Sequence, residues 1–427
     1  MKTKKFAAAL LAATVGLSLA ACGGAPAQNT GGAATSTGPV SITFQSLSDQ
    51  PGAIAATKEI VAAWNTANPN IKVETIQAGW DGIYDKLTTQ FSGKSAPDVI
   101  HYEAASILPF AADGYLRDLT KDISAEAKAE ISAGVWDSVT YNNQIVGVPT
   151  EMQTYVVFAN KKLLAAAGVT IPTGSSLTWD QFASIAQQAT KGSVKGVGWG
   201  LKSPTATMMA LGPINGATFF SGTGDKVDIA VGDAELALPK AIRSLANAGF
   251  LDTTSLTQSG GDVLKGFYAG KYAMTVQGSY QAANMAKSAP AGFEWVELAP
   301  LAGTKGTAQA ANPQTLSVNI DSKHGAEAAK FIEFFTKPEN MAKLNTADAL
   351  IPASKSARDM ILKDSGGKDG WDMTMKSGES LTSAPYLKAN KYAQWKDTVA
   401  TPAFQKYLTG EIDEAGLKSA LEAGWKR

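Results

Sequence analysis

The chain has 427 residues, 38 basic and 38 acidic, with 44% hydrophobic and only 18% charged residues. Balanced charge without a basic run excludes a surface built to neutralise nucleic-acid phosphates. A charged share below the typical ~25% points to a large core, and at roughly 150 residues per domain the length allows two domains or three.

Lys2, Lys4 and Lys5 precede an apolar run from Phe6 to Leu17, which reads as an export signal over residues 1–21. The run is too short to cross a bilayer, which takes about 20 apolar residues. It ends in Leu19-Ala20-Ala21-Cys22-Gly23, which resembles the lipobox of bacterial lipoproteins, where the cysteine is lipidated and becomes the new amino terminus. The alternative is an ordinary signal peptide cut after Ala21. Cys22 is the only cysteine, so an internal disulfide and a thiolate metal site are excluded. Residues 22–39, rich in Gly, Ala, Ser and Thr, read as a flexible linker. Lipidation at Cys22 would tether a mildly acidic body to the outer face of the cell membrane, extracytoplasmic and not inserted.

Beyond the linker, Val40, Ile42 and Phe44 alternate with polar residues as a strand does, and a helical stripe runs through Ile60, Val61 and Trp64 to a stop at Asn68-Pro69. A second strand over Ile71–Thr75, a helix through Ile83, Leu87 and Phe91, and a third strand over Asp98–Tyr102 complete a βαβαβ order. That order implies a parallel sheet with helices on both faces. Tyr141-Asn142-Asn143-Gln144 reads as a turn between two short extended runs. A second unit opens near Thr150 with a strand over Tyr155–Ala159 and a helix from Lys161. Thr178 and Gln181 have the spacing of a capping box that starts a further helix. Strands follow over Val197–Trp199, Tyr272–Val276 and Gln314–Ile320, and the tail from Ser354 to Arg427 is mostly helical.

Five phrases in order carry a resemblance: Trp64-Asn65-Thr66-Ala67-Asn68-Pro69-Asn70-Ile71-Lys72-Val73, Gly93–Val99, Asn160–Leu164, Thr178–Phe182 and Phe267–Met274. Together they resemble the extracellular solute-binding family 1, the maltose-binding-protein-like sugar-binding lipoproteins of ABC importers. The resemblance implies a two-lobed, periplasmic-binding-protein-like (type II) α/β fold, each lobe a sheet flanked by helices, joined by hinge strands. It places the amino-terminal lobe at 40–149 with 300–350 and the carboxy-terminal lobe at 150–299 with 351–427. It also implies a monomer that captures a mono- or oligosaccharide in the cleft and delivers it to permease subunits, with no nucleic acid, cofactor or metal.

Ligands of open α/β sheets sit at the carboxyl ends of strands, which selects the candidate residues. Asp49 and Gln50 follow the first strand, where the alternative is an exposed turn before Pro51. Trp80 and Asp81 follow the second; Asp81 equally suits a helix start. Tyr102 and Glu103 end the third. Glu151 and Met152 follow the expected hinge, where the family often has a ligand-binding carboxylate. Trp199 closes a strand, with sheet-edge cover as the alternative. Ser279 and Tyr280 stand where the family places a sugar-stacking aromatic. Asn312 and Gln314 precede a late strand, and Tyr392 and Trp395 lie on a late helix. A pyranose needs flat aromatic platforms and side chains that both donate and accept hydrogen bonds, and this set supplies both.

His101 and His324 are isolated, so a packed or solvated histidine is favoured over zinc. Gly93-Lys94-Ser95 imitates half a phosphate loop, but Thr88 stands where the first glycine belongs. No Gly-x-Ser-x-Gly elbow occurs. The rival from another class is a secreted glycoside hydrolase using a pair among Asp81, Glu103 and Glu151. A second rival keeps the fold and binds a polyamine, an iron complex or a glycerol phosphate.

Overall fold

The computed structural model describes residues 39–222 and 226–426; the export signal, Cys22 and residues 23–38 of the linker lie outside them. The strands and helices that open the chain are β1 (Val40–Ser46), α1 (Pro51–Ala67), β2 (Ile71–Gln77), α2 (Ile83–Ser92), β3 (Val99–Glu103) and α3 (Ala104–Ala112). The two main sheets are completed by β4 (Val148–Pro149), β5 (Tyr155–Asn160), β6 (Lys195–Gly198), β7 (Tyr272–Gly278), β8 (Trp295–Glu297) and β9 (Gln314–Val318).

The first sheet runs β2-β1-β3-β9-β4. Its first three strands are parallel, as the βαβαβ order requires, while β9 lies antiparallel between β3 and β4. Pro51 starts α1, where its fixed φ suits the first turn, and Trp64 on its buried stripe meets Phe331 edge-on at 5.6 Å. Phe44 on β1 reaches the same ring at 5.5 Å, which fastens the helix Gly325–Phe335 to this face. On the other face Leu87 and Phe91 of α2 pack with Ile100 and Phe110. Strand alternation sends successive side chains into these two layers.

The second sheet runs β6-β7-β5-β8, with β6 and β7 parallel and β5 antiparallel to both neighbours. Val156 and Phe158 of β5 face Val263, Phe267 and Met285, whereas Val157 and Ala159 belong with Phe182 and Ile185 on the opposite layer. The Thr178–Gln181 capping box forms: Gln181 N–H donates to Thr178 Oγ1, and the Gln181 side chain accepts from Thr178 N–H. Asn142 and Asn143 both take positive φ in the hairpin Thr140–Tyr141 with Gln144–Ile145, the conformation a two-residue turn demands. The carboxy-terminal helices return to the second lobe, where Trp425 Nε1 donates to Val227 O and Thr401 bonds Thr205. No helix among the described residues is long and apolar enough to cross a membrane.

Between the sheets the chain crosses in segments that hold one another. Glu151–Met152 pairs antiparallel with Ile351–Pro352, and Gln309–Ala310 pairs parallel with Leu381–Thr382. Gln309, wholly buried, acts as an extra strand residue: its Oε1 accepts Tyr155 N–H at 2.8 Å and its Nε2 donates to Tyr155 O at 2.9 Å. Ser279 and Thr154 exchange two further bonds, Ser279 N–H to Thr154 O and Thr154 N–H to Ser279 Oγ. Gln309→Ala leaves the backbone N–H and C=O of Tyr155 without partners. It is expected to lower the unfolding free energy by about 2–3 kcal/mol in denaturant titrations.

Candidate functional site

A cavity of about 310 Å³ lies where the crossings meet the two sheets. The first lobe contributes Trp80, Glu103, Asn312 and Gln314; the crossing contributes Glu151, Met152 and Gln153; the second lobe contributes Tyr155, Tyr386, Tyr392 and Lys396. Ala105, Ala206, Ala210 and Ala310 keep the walls low. Three larger hollows, about 770, 510 and 450 Å³, lie over the carboxy-terminal helices, beside α1 and along β8. None of them takes residues from both sheets, whereas the smaller cavity takes Glu103 and Gln314 from the first and Tyr155 from the second.

Strand register builds its floor. Gln314 pairs with Glu103 and Leu316 with His101, so Glu103, His101 and Gln314 share one sheet face. Deeper on that face Val99, Leu316 and Val318 are core; at its end it becomes polar. Asn312 Oδ1 accepts Ala105 N–H at 3.0 Å and Asn312 Nδ2 donates to Glu103 Oε2 at 3.1 Å, which fixes both side chains. Trp80 stands edge-on to His101, with ring centres 6.1 Å apart.

The floor is electrically quiet despite its acids. Burial pushes His101 down to about 4, so the ring is neutral, and its 3.8 Å approach to Glu151 is no ion pair. Glu151 is fully buried and neither oxygen accepts a hydrogen bond from the described residues. Burial raises it well above the usual carboxylate range, and the Asp348 carboxyl beside it adds to the rise. Burial likewise raises Tyr155, Tyr386 and Tyr392; all three present neutral phenols. Tyr386 and Tyr392 lie with ring centres 4.7 Å apart, and Tyr392 and Lys396, one helical turn apart, line the same wall.

Of the residues that the sequence selects, Trp80, Glu103, Glu151, Met152, Asn312, Gln314 and Tyr392 line this cavity. The others are not part of its lining. Tyr102 alternates with His101 and Glu103, so it faces the opposite layer, buried beside Trp80. Trp199 follows the edge strand β6 and is buried against Phe182, its N–H donating to Ser255 Oγ. Trp395 is locked among Phe220 and Trp425, with Nε1 donating to Leu421 O. Ser279 is buried in its bonds to Thr154. Tyr280 packs over Gly278, where any Cβ would collide with its ring. Asp49 and Gln50 are exposed beside each other, and Asp81 is exposed in the turn before α2. The sequence reading missed Tyr155, Tyr386, Gln153 and Lys396. Tyr155 opens its strand, but because β5 runs antiparallel its amino end faces the cleft beside Gly278. Lys396 was signalled by its spacing from Tyr392; nothing local signals Tyr386.

Residues 48–342 match the profile of the bacterial extracellular solute-binding proteins. An uncharacterized lipoprotein in the oleD 5′ region of Streptomyces antibioticus is 36% identical over 412 residues, covering 95% of this chain and 88% of its own. The solved cyclic alpha-maltosyl-1,6-maltose binding protein of Arthrobacter globiformis matches with a TM-score of 0.78 at 18% identity, over 91% of this chain and 100% of that one. The sugar-binding protein MalE of Xanthomonas citri matches with a TM-score of 0.77 at 19% identity, over 91% and 97%. These likenesses establish the two-lobed α/β fold.

The two buried titrating groups bias stability in opposite directions. His101, held below its ordinary 6.5, resists a proton that the unfolded chain accepts, so stability falls as pH drops from 6.5 towards about 4. About 3 kcal/mol is at stake, and His101→Asn is expected to remove that share in unfolding measured across this range. Glu151, held above its ordinary value, favours the fold at low pH and loses that advantage as pH rises through its folded value. Glu151→Gln is expected to abolish that loss.

Proposed function

The chain belongs to the bacterial extracellular solute-binding proteins, and from that premise we propose that it captures a mono- or oligosaccharide between its lobes and presents it to the permease of an ABC importer. The observation that carries this reading is the composition of the cavity. Trp80, Tyr155, Tyr386 and Tyr392 offer ring faces, while Asn312, Gln314 and Glu103 offer fixed polar groups. Apolar C–H faces ringed by hydroxyls match such a wall. Two neighbours of the same fold are described by the carbohydrates they bind, a cyclic maltosyl-maltose and a sugar.

A polyamine fits less well. Glu151 carries a proton, and Lys396 contributes a cation to the wall. Phosphate fares no better, since no arginine lines the cavity. As a capture protein it performs no catalysis: the lobes, at 40–149 with 300–350 and 150–299 with 351–427, close on the ligand by bending at the crossings. One copy of the chain holds the whole site and suffices as a monomer. Cys22 carries the lipid anchor, a reading supported by the lipobox and by a 36% identical relative described as a lipoprotein.

A thermal-shift screen with maltose, maltotriose, D-tagatose and spermidine tests the ligand class, because a ligand bound only by the folded state raises its melting temperature. A saccharide is expected to register and spermidine is not. Trp80→Ala is expected to cost about 1–3 kcal/mol of saccharide affinity by calorimetry if that ring supports the sugar. Hydrolysis products that vanish in Glu103→Gln or Glu151→Gln would turn the assignment to a glycoside hydrolase. Cys22→Ser is expected to move the protein from the membrane fraction to the medium; unchanged fractionation would remove the anchor.

A further inference from the structure

The cavity floor rests on a hydrogen-bond relay that begins at the backbone. Leu47 N–H donates to His101 Nδ1 at 3.1 Å, and His101 Nε2 lies 2.6 Å from Gln314 Oε1. A ring nitrogen that accepts from an amide carries no proton, so the single hydrogen of the neutral imidazole sits on Nε2. That hydrogen can be received by the carbonyl oxygen of Gln314 but not by its NH2 group. The amide is thereby locked with oxygen towards His101 and nitrogen away from it, and Gln314 lines the cavity. Asn312 is locked in the same sense, since one amide hydrogen goes to Glu103 and its oxygen accepts from Ala105, leaving one N–H free.

We propose that His101 is a positioning residue of this site: its backbone-fixed tautomer turns the Gln314 NH2 group to the ligand, so the floor offers hydrogen-bond donors and selects an uncharged, acceptor-rich ligand over an ammonium. The inference rests on the carbohydrate reading for its probe. The two glutamates do not reverse the polarity. Glu103 already receives Asn312 Nδ2 and the Ser106 hydroxyl, and an ionised Glu151 would be a buried charge with no cation against it, which costs several kcal/mol. Lys396 adds further donors from the opposite wall.

The chain has two histidines, so His324→Asn leaves one imidazole to observe by nitrogen NMR. At neutral pH it is expected to show a bare Nδ1 and a protonated Nε2; an Nδ1–H tautomer, or exchange between the two, overturns the relay. Gln314→Glu keeps an oxygen for His101 at almost unchanged shape and deletes the NH2 donor. Calorimetry with maltotriose is expected to show binding weakened about tenfold or more, with little change in melting temperature. Adding His101→Phe to Gln314→Glu is expected to weaken binding no further than the more damaging single change, because both act through one amide. Equal maltotriose affinity in Gln314→Glu, strictly additive losses, or spermidine binding by the wild type overturns the proposal. If maltotriose fails to bind the wild type, the carbohydrate reading falls while the tautomer and spermidine measurements still decide this one.

Discussion

The site depends on β9 returning antiparallel to β3. That pairing joins residues more than two hundred positions apart and fixes Gln314 opposite Glu103 and diagonal to His101. A slip of one residue in β9 would turn Gln314 to the other face, away from Glu103 and His101, and carry Leu316 and Val318 out of the core with it. Register is secured by those same core residues, because Val99, Leu316 and Val318 bury their side chains only in the observed alignment. Packing deep in the sheet therefore sets the geometry of polar groups at its end.

Neutrality is the second property that this arrangement produces. Two glutamates and a histidine around one small cavity suggest a charged site, yet burial strips the charge from His101 and Glu151 alike. What remains, beside the Glu103 carboxylate and the Lys396 cation of opposite sign, is a set of oriented donors and acceptors among aromatic faces. Such a surface holds a ligand through direction and contact and has little long-range field with which to attract ions. The crossing segments carry both tasks at once, since Glu151 lines the cavity while its strand pairs with Ile351–Pro352, the next crossing. In the proposed capture, a ligand touching this wall would also touch the crossing strands, which would link capture to closure.

Much of the fold was legible because local patterns are strong. The βαβαβ opening, the capping box at Thr178 and the helical tail follow from periodicity and capping chemistry that act over a few residues. The rule that ligands lie at carboxyl ends of strands found Trp80 and Glu103, both in the first parallel unit. It failed at Tyr155, whose strand is reversed, and it was too generous at Trp199, which ends an edge strand and turns into the core. Alternation already separated Tyr102 from Glu103, since neighbours on a strand cannot share a face; His101, set aside as isolated, was the residue on the cavity's side.

By itself, then, the sequence determined the parallel start of the first lobe, the helical tail and the residue types from which a sugar site could be made, because these depend on short-range steric and solvation preferences. The tertiary structure alone decided which of them meet. It reversed β5 and β9, hid Trp199, Trp395 and Ser279, and brought Tyr386 to the wall. It also removed the charge from His101 and Glu151. Each of those outcomes depends on contacts between distant segments and on the burial they create, and neither quantity exists until the chain has folded.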